Sequence, residues 1–249
     1  DFITRNPLDR VISSLFYLPY NGDGFTNDKN TEKYLNCILQ VIKGDSDIVE
    51  LDSMFSDITE RPSIIESVKN QSNALMELAN AHGKSFFFFK YEDFVAGQLK
   101  SINDYLGFEL TQQVEVGKMH KRTKRSGKFN NYKKYFRPEL INNLSKELNS
   151  FCDTFSYSFD HSKQVEPISK KETYDYTKAI INEYRAKFKL PLYEEGHIKI
   201  KEEGVLFDKA RRLVMSKKQD EASKLLEEVD FSNALLKPAT DHLRERLSR

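Results

Sequence analysis

The chain has 249 residues, 39% hydrophobic and 31% charged, with 39 lysines and arginines against 38 aspartates and glutamates. That length and apolar content support a packed core and exclude a disordered chain, while the net charge of +1 gives no global attraction for nucleic acid or an anionic membrane, so anion chemistry has to come from a local cluster. No apolar run approaches the roughly 18 to 20 residues of a membrane-spanning helix, and the greasiest stretch, Phe86 to Phe89, is of strand length.

Taken in chain order, residues 1 to 5 read as the end of a buried strand. A helix follows to about Leu18, with Asn6 as N-cap, Pro7 at its first position and Asp9 in its first turn. Asn21-Gly22-Asp23-Gly24 is a loop, and a second helix is expected over about 31 to 43, stopped by Gly44. Residues 45 to 60 are expected to be loop with at most short elements. Pro62 starts a third helix ending near His82-Gly83. Lys84 to Lys90 then reads as a strand whose four consecutive phenylalanines predict burial on both faces, and a helix from about Phe94 to Leu106 is closed by Gly107. Strand, helices, strand, helix in this order predicts crossover connections and a parallel α/β sheet, whose ligands bind at the carboxyl ends of the strands.

Leu110 to Lys134 forms a basic loop, and Pro138 opens a helix to about Phe151. Beyond Asp160 the sequence is charged and helix-forming, with helices expected at 169–187, 203–217, 219–229 and 232–247. This divides the chain into an α/β domain, 1–161, and a helical extension, 162–249. Asp1 in place of a methionine, followed at once by Phe2-Ile3, reads as a chain entered partway through a strand, so that preceding sequence and any targeting peptide are expected to be missing. A cytoplasmic location is otherwise the expectation. Cys37 and Cys152 match no metal-ligand spacing and read as reduced core thiols.

The segment most informative about chemistry is Ile3-Thr4-Arg5-Asn6-Pro7-Leu8-Asp9-Arg10-Val11-Ile12-Ser13. An arginine between a strand end and a capped helix sits where free N–H groups and the positive end of the helix dipole favour an anion. Arg5 offers a forked donor suited to phosphate, and Ser13 a neutral hydroxyl. The alternative is that Arg5 pairs with a neighbouring carboxylate and Ser13 is a solvated helix residue. Tyr91, just after the phenylalanine strand, either meets a base with its ring or locks the strand to the next helix. Glu92 and Asp93 read as structural, Asp93 capping a helix that starts at Phe94. The five histidines lack a metal-like grouping and read as surface residues, with His120 in the basic loop the least improbable exception.

Arg-Asn-Pro-x-Asp-x-x-x-Ser resembles the 3′-phosphate-binding motif of the sulfotransferases that use 3′-phosphoadenosine-5′-phosphosulfate (PAPS). Phe88-Phe89-Lys90-Tyr91-Glu92-Asp93-Phe94, with Leu99 and Tyr105-Leu106-Gly107-Phe108, is similar to that family's strand, Tyr-Glu-Asp and Leu-Gly unit. Arg125-Ser126-Gly127-Lys128-Phe129-Asn130-Asn131-Tyr132, with Tyr135-Phe136, resembles its late Arg-x-Gly loop. The three segments occur in the family's order within residues 1 to 157.

The resemblance implies a three-layer α/β parallel sheet of P-loop-like type, incomplete at its N-terminus, followed by the all-helical extension. It implies that Arg5 and Ser13 hold the 3′-phosphate, that Tyr91 lies against the adenosine, and that Arg125, Ser126 and Gly127 close over the phosphate. PAPS would be co-substrate, no metal is implied, and a hydroxyl or amine of an unidentified acceptor would take the sulfuryl group. Neither nucleic acid nor a membrane span is expected. The family's phosphosulfate loop and catalytic base precede the strand that ends at Arg5 and have no counterpart here. Tyr132 stands where that late loop often carries tryptophan, and the chain has no tryptophan. Two rival readings are a nucleotide kinase of similar topology and a non-catalytic interaction protein on a degenerate scaffold. In the extension, Ala210 and Ala222 with Leu213 and Leu226 faintly resemble one tetratricopeptide hairpin, which cannot bury its own faces and is expected to pack on the main domain, a partner or another copy.

Overall fold

The computed structural model describes residues 2–83, 85–110, 128–160, 166–194, 206–207, 209–214, 216, 218–228 and 237–247. The chain divides into two compact units, Asp1–Leu192 and Tyr193–Arg249. Residues 166–192, which the sequence groups with the helical extension, belong to the first of them.

In the first unit, β1 (Phe2–Thr4) leads directly into α1 (Pro7–Tyr17). The Asn6 side chain accepts from the N–H groups of Leu8 and Asp9, satisfying two donors that a helix start leaves orphaned. Two 3₁₀ turns, Leu18–Asn21 and Asp23–Thr26, carry the chain to α2 (Asp28–Lys43), which ends at Gly44 with φ of +84°. The expected loop at 45 to 60 is instead the helix α3 (Ile48–Thr59). Asp47 caps it through Val49 and Glu50, and Ile48, Leu51, Phe55 and Ile58 form its buried stripe at helical spacing. Next comes α4 (Ile64–His82), where the buried Asp52 of α3 accepts from the backbone N–H groups of Ile64 and Ile65.

The second strand, β2 (Phe88–Lys90), pairs with β1 in parallel, Phe2 opposite Phe88 and Thr4 opposite Lys90. Two short helices follow, α5 (Tyr91–Val95) and α6 (Lys100–Leu106), separated at Gly97, whose φ is +74°. Asp93 therefore lies inside α5 and does not cap a helix starting at Phe94. Further on come α7 (Pro138–Glu147), α8 (Asn149–Phe155), a π turn at Lys171–Asp175 and α9 (Tyr176–Lys187).

The expected three-layer parallel sheet is corrected by this arrangement. The molecule is mostly helical (72%), and among the described residues its sheet consists of two parallel strands. The phenylalanine run is also less buried than expected: Phe89 is buried, Phe87 and Phe88 are half-buried and Phe86 is 36% exposed. Phe87 stacks on Tyr105 of α6 with ring centroids 4.3 Å apart, Phe88 meets Phe155 of α8 at 5.3 Å, and Phe89 stands edge-on to Phe94 at 6.2 Å. The strand itself is only three residues long, and among the described residues its one strand neighbour is β1 while α5, α6 and α8 supply the ring contacts. In β1, Ile3 is 70% exposed while Thr4 is 2% exposed, so the strand is not buried on both faces.

Leu15 and Phe16 of α1, Phe25 of the second 3₁₀ turn, Tyr34 and Ile38 of α2 and Phe55 of α3 are all at most 1% exposed, and the rings of Phe25, Tyr34 and Phe55 meet one another. Cys37 and Cys152 are buried free thiols. Burial raises both, Cys152 to about 11, so neither is a thiolate at neutral pH. In the second unit, helical residues 206–207 and 209–214 precede α10 (Gln219–Glu228) and α11 (Lys237–Leu247). Ala210, Leu226 and Leu243 form one buried cluster, so the third helix supplies the cover that a lone hairpin lacks. Among the described residues no helix is long and apolar enough to cross a membrane.

Candidate functional site

The junction between β1 and α1 opens on a cavity of about 510 Å³ lined by Arg5, Arg10, Ser13, Ser14, Tyr17 and Tyr91, with Gln71 and Leu75 of α4 closing one side. Arg5 reaches it because Thr4 is the last strand residue and Asn6 the helix cap. The parallel pairing of β1 with β2 brings Tyr91, the first residue after β2, alongside. The guanidinium carbon of Arg5 lies 4.6 Å from the centroid of the Tyr91 ring, a cation–π contact that holds both side chains at the rim.

Arg5 makes no ion pair among the described residues, and its Nε is buried with no hydrogen-bond acceptor. The alternative in which Arg5 is absorbed by a carboxylate is not what the structure contains. Two acidic groups of the adjoining segments are engaged elsewhere. Glu92 accepts from the Asn6 backbone N–H at 2.9 Å and from the Tyr157 hydroxyl at 2.9 Å, and Thr4 Oγ1 lies 3.1 Å from the same hydroxyl. Asp9, 1% exposed, accepts from the backbone N–H groups of Asn130 and Tyr132 at 2.5 and 2.9 Å. Burial raises the Asp9 carboxyl above the ordinary 3.8, against the opposing pull of those N–H groups and of Arg5. Glu92 and Asp93 both lie within α5, and Glu92 has the structural role of fixing the entrance of α1 through the Asn6 N–H.

Of the expected site residues, Arg5, Ser13 and Tyr91 line one cavity. Arg125, Ser126 and Gly127, together with His120, lie outside the described residues. The adjoining part of that loop is placed, however: the Asp9 contacts anchor Asn130 and Tyr132 on the first turn of α1, and Tyr132 is fully buried.

Sequence reading did not single out Arg10, Ser14, Tyr17 or Gln71. Arg10, Ser13, Ser14 and Tyr17 occupy positions i, i+3, i+4 and i+7 of α1, a single helical face that the sequence carries openly. Gln71 is different, because only the packing of α4 against α1 brings it there, where its amide oxygen accepts from Arg10 Nη2. Burial, and after it the neighbouring positive charge of Arg5, holds the Arg10 guanidinium below the usual arginine value. The cavity is therefore a cationic, hydroxyl-lined recess with an aromatic wall, suited to a phosphate or similar anion carried on a larger body. Among the described residues no group of three His, Cys, Asp or Glu is placed to hold a metal ion.

Comparison with known proteins finds no matching family model, no similar curated protein and no similar solved structure.

Proposed function

We propose that this chain carries the 3′-phosphoadenosine-binding part of a PAPS-dependent sulfotransferase. The observation that carries the reading is the Arg5 guanidinium, unpaired and half-buried, facing the same cavity as Ser13 and packed on Tyr91. The reading stands on that cavity and its three matching segments, not on sheet architecture.

In the reaction the acceptor's oxygen or nitrogen attacks the sulfur of PAPS, the bond from sulfur to the 5′-phosphate oxygen breaks, and 3′-phosphoadenosine-5′-phosphate leaves with the electron pair. The acceptor's proton passes to a general base to which no residue of this sequence is assigned. Arg5 and Ser13 grip the 3′-phosphate in ground state and transition state alike, so their contribution is cofactor affinity and position. Tyr91 presents its ring to the nucleoside.

Arg5→Ala is expected to weaken binding of 3′-phosphoadenosine-5′-phosphate about tenfold or more, since a charge-assisted contact contributes roughly 1.5 to 3 kcal/mol. Titration calorimetry on the two proteins measures it, and equal dissociation constants contradict the assignment. A thermal-shift comparison of the wild type separates the neighbouring enzyme class: greater stabilisation by 3′-phosphoadenosine-5′-phosphate than by ATP with magnesium is expected, and the reverse order favours a nucleotide kinase.

A further inference from the structure

A second guanidinium faces this cavity. Arg10 projects from α1 into the space that Arg5 lines, and among the described residues its hydrogen-bond partner is the neutral amide of Gln71 rather than a carboxylate. Two like charges thus share one recess of about 510 Å³ with two serine hydroxyls. The ionisable groups around it leave that charge uncompensated. From α1, Asp9 turns to the backbone of Asn130 and Tyr132; from α5, Glu92 turns to Asn6 and Tyr157; Tyr17 and Tyr91 line the cavity without bringing a carboxylate to it. The charge of Arg5 works against that of Arg10, which a bound anion would reverse.

We infer that Arg5 and Arg10 together hold one phosphomonoester dianion, and that Arg10 is the residue that distinguishes it from a monoanionic phosphodiester or sulfate ester. Each guanidinium then matches one negative charge. Gln71 orients Arg10 from α4 while leaving most of its five donors for the ligand. The inference rests on the cavity being the 3′-phosphate site, and it adds the charge state that the site selects and the residue that selects it.

The probes are adenosine 3′-phosphate, whose only phosphate is a monoester, and its methyl diester, in calorimetric titrations against the intact chain. The wild type is expected to bind the monoester about tenfold more tightly than the diester at pH 7.5, and to lose about tenfold for the monoester alone on going to pH 5, because the second phosphate ionisation lies near 6. Arg10→Gln should weaken monoester binding roughly tenfold at pH 7.5 and leave the diester within about twofold. Gln71→Glu, which hands Arg10 an internal carboxylate from an exposed position on α4, should produce the same selective loss without touching the α1 backbone. Equal weakening of both ligands, or unchanged affinity in both variants, overturns the role of Arg10 while leaving the nucleotide site standing. Failure of the wild type to bind either adenosine 3′-phosphate or 3′-phosphoadenosine-5′-phosphate overturns the functional reading itself.

Discussion

Asp9→Ala is expected to lower the unfolding free energy of the first unit by about 2 to 6 kcal/mol, because two backbone N–H groups lose their acceptor and each such loss costs roughly 1 to 3 kcal/mol. The carboxylate is 1% exposed, and Asn130 and Tyr132, which donate to it, belong to the segment that follows the basic loop. Asp9 is thus the clasp between the first turn of α1 and a distant part of the chain. Chemical denaturation of the two proteins measures the loss, and a change below about 1 kcal/mol would show that the N–H groups find other partners. Asp9→Asn gives a test of sign. The folded carboxyl holds its proton more tightly than a free aspartate, so its favourable linkage is fully present below about 3.8 and is lost as pH rises through the raised folded value. The stability of the wild type relative to Asp9→Asn should therefore fall as pH rises from about 3.8 through the raised folded value, and a rise instead would contradict the burial argument.

Arg185→Met is expected to cost about 3 to 5 kcal/mol, the usual consequence of breaking a buried ion pair, and to lower Tm by roughly 6 to 20 °C for a unit of this size. Arg185 on α9 is 3% exposed. It donates to the backbone carbonyls of Phe25, Thr26 and Pro191 at 3.2, 3.1 and 2.8 Å and pairs with Asp28 at 2.5 Å. Methionine fills much of the volume and satisfies none of these acceptors. Asp28→Asn should cost less, roughly 1.5 to 3 kcal/mol, since the guanidinium keeps its carbonyl partners. Thermal melts of both variants order the two effects, and a larger loss in Asp28→Asn would show that the counter-charge, not the carbonyl cradle, anchors α9. The same arginine shows why residues 166–192 pack with the first unit although their composition resembles the extension: Arg185 bridges to the turn before α2, and Thr177 Oγ1 donates to the Phe16 carbonyl. A boundary near Ser162 follows from composition, which records no such long-range bonds.

Local chemistry made several elements readable in advance. Asn6-Pro7 begins α1 and Gly44 ends α2, because capping and left-handed backbone are decided by the residues themselves. The stripe of α3 was equally present, with Asp47 as its cap, but its polar neighbours Glu50, Ser53, Ser56 and Asp57 gave it the look of a loop. Phe86 to Phe89 misled for another reason. Four consecutive aromatics suggest burial on both faces, yet Phe89 alone of them is buried and Phe86 is 36% exposed, because a short apolar run does not say how many strands will pair beside it.

The sequence by itself determined the local ingredients of the anion cavity: a capped helix start behind a strand, with Arg5 before it, Arg10, Ser13 and Tyr17 along one helical face, and Tyr91 after a second strand. Short-range geometry fixes each of these, since 3.6 residues per turn and one cap dictate where a side chain leaves α1. Tertiary structure alone decided that the sheet stops at two strands among the described residues, that Glu92 and Asp9 spend their charge on backbone N–H groups, and that α4 delivers Gln71 to Arg10. Those outcomes depend on which buried donors and apolar faces meet across long stretches of chain, a competition settled by packing and desolvation that no local pattern encodes.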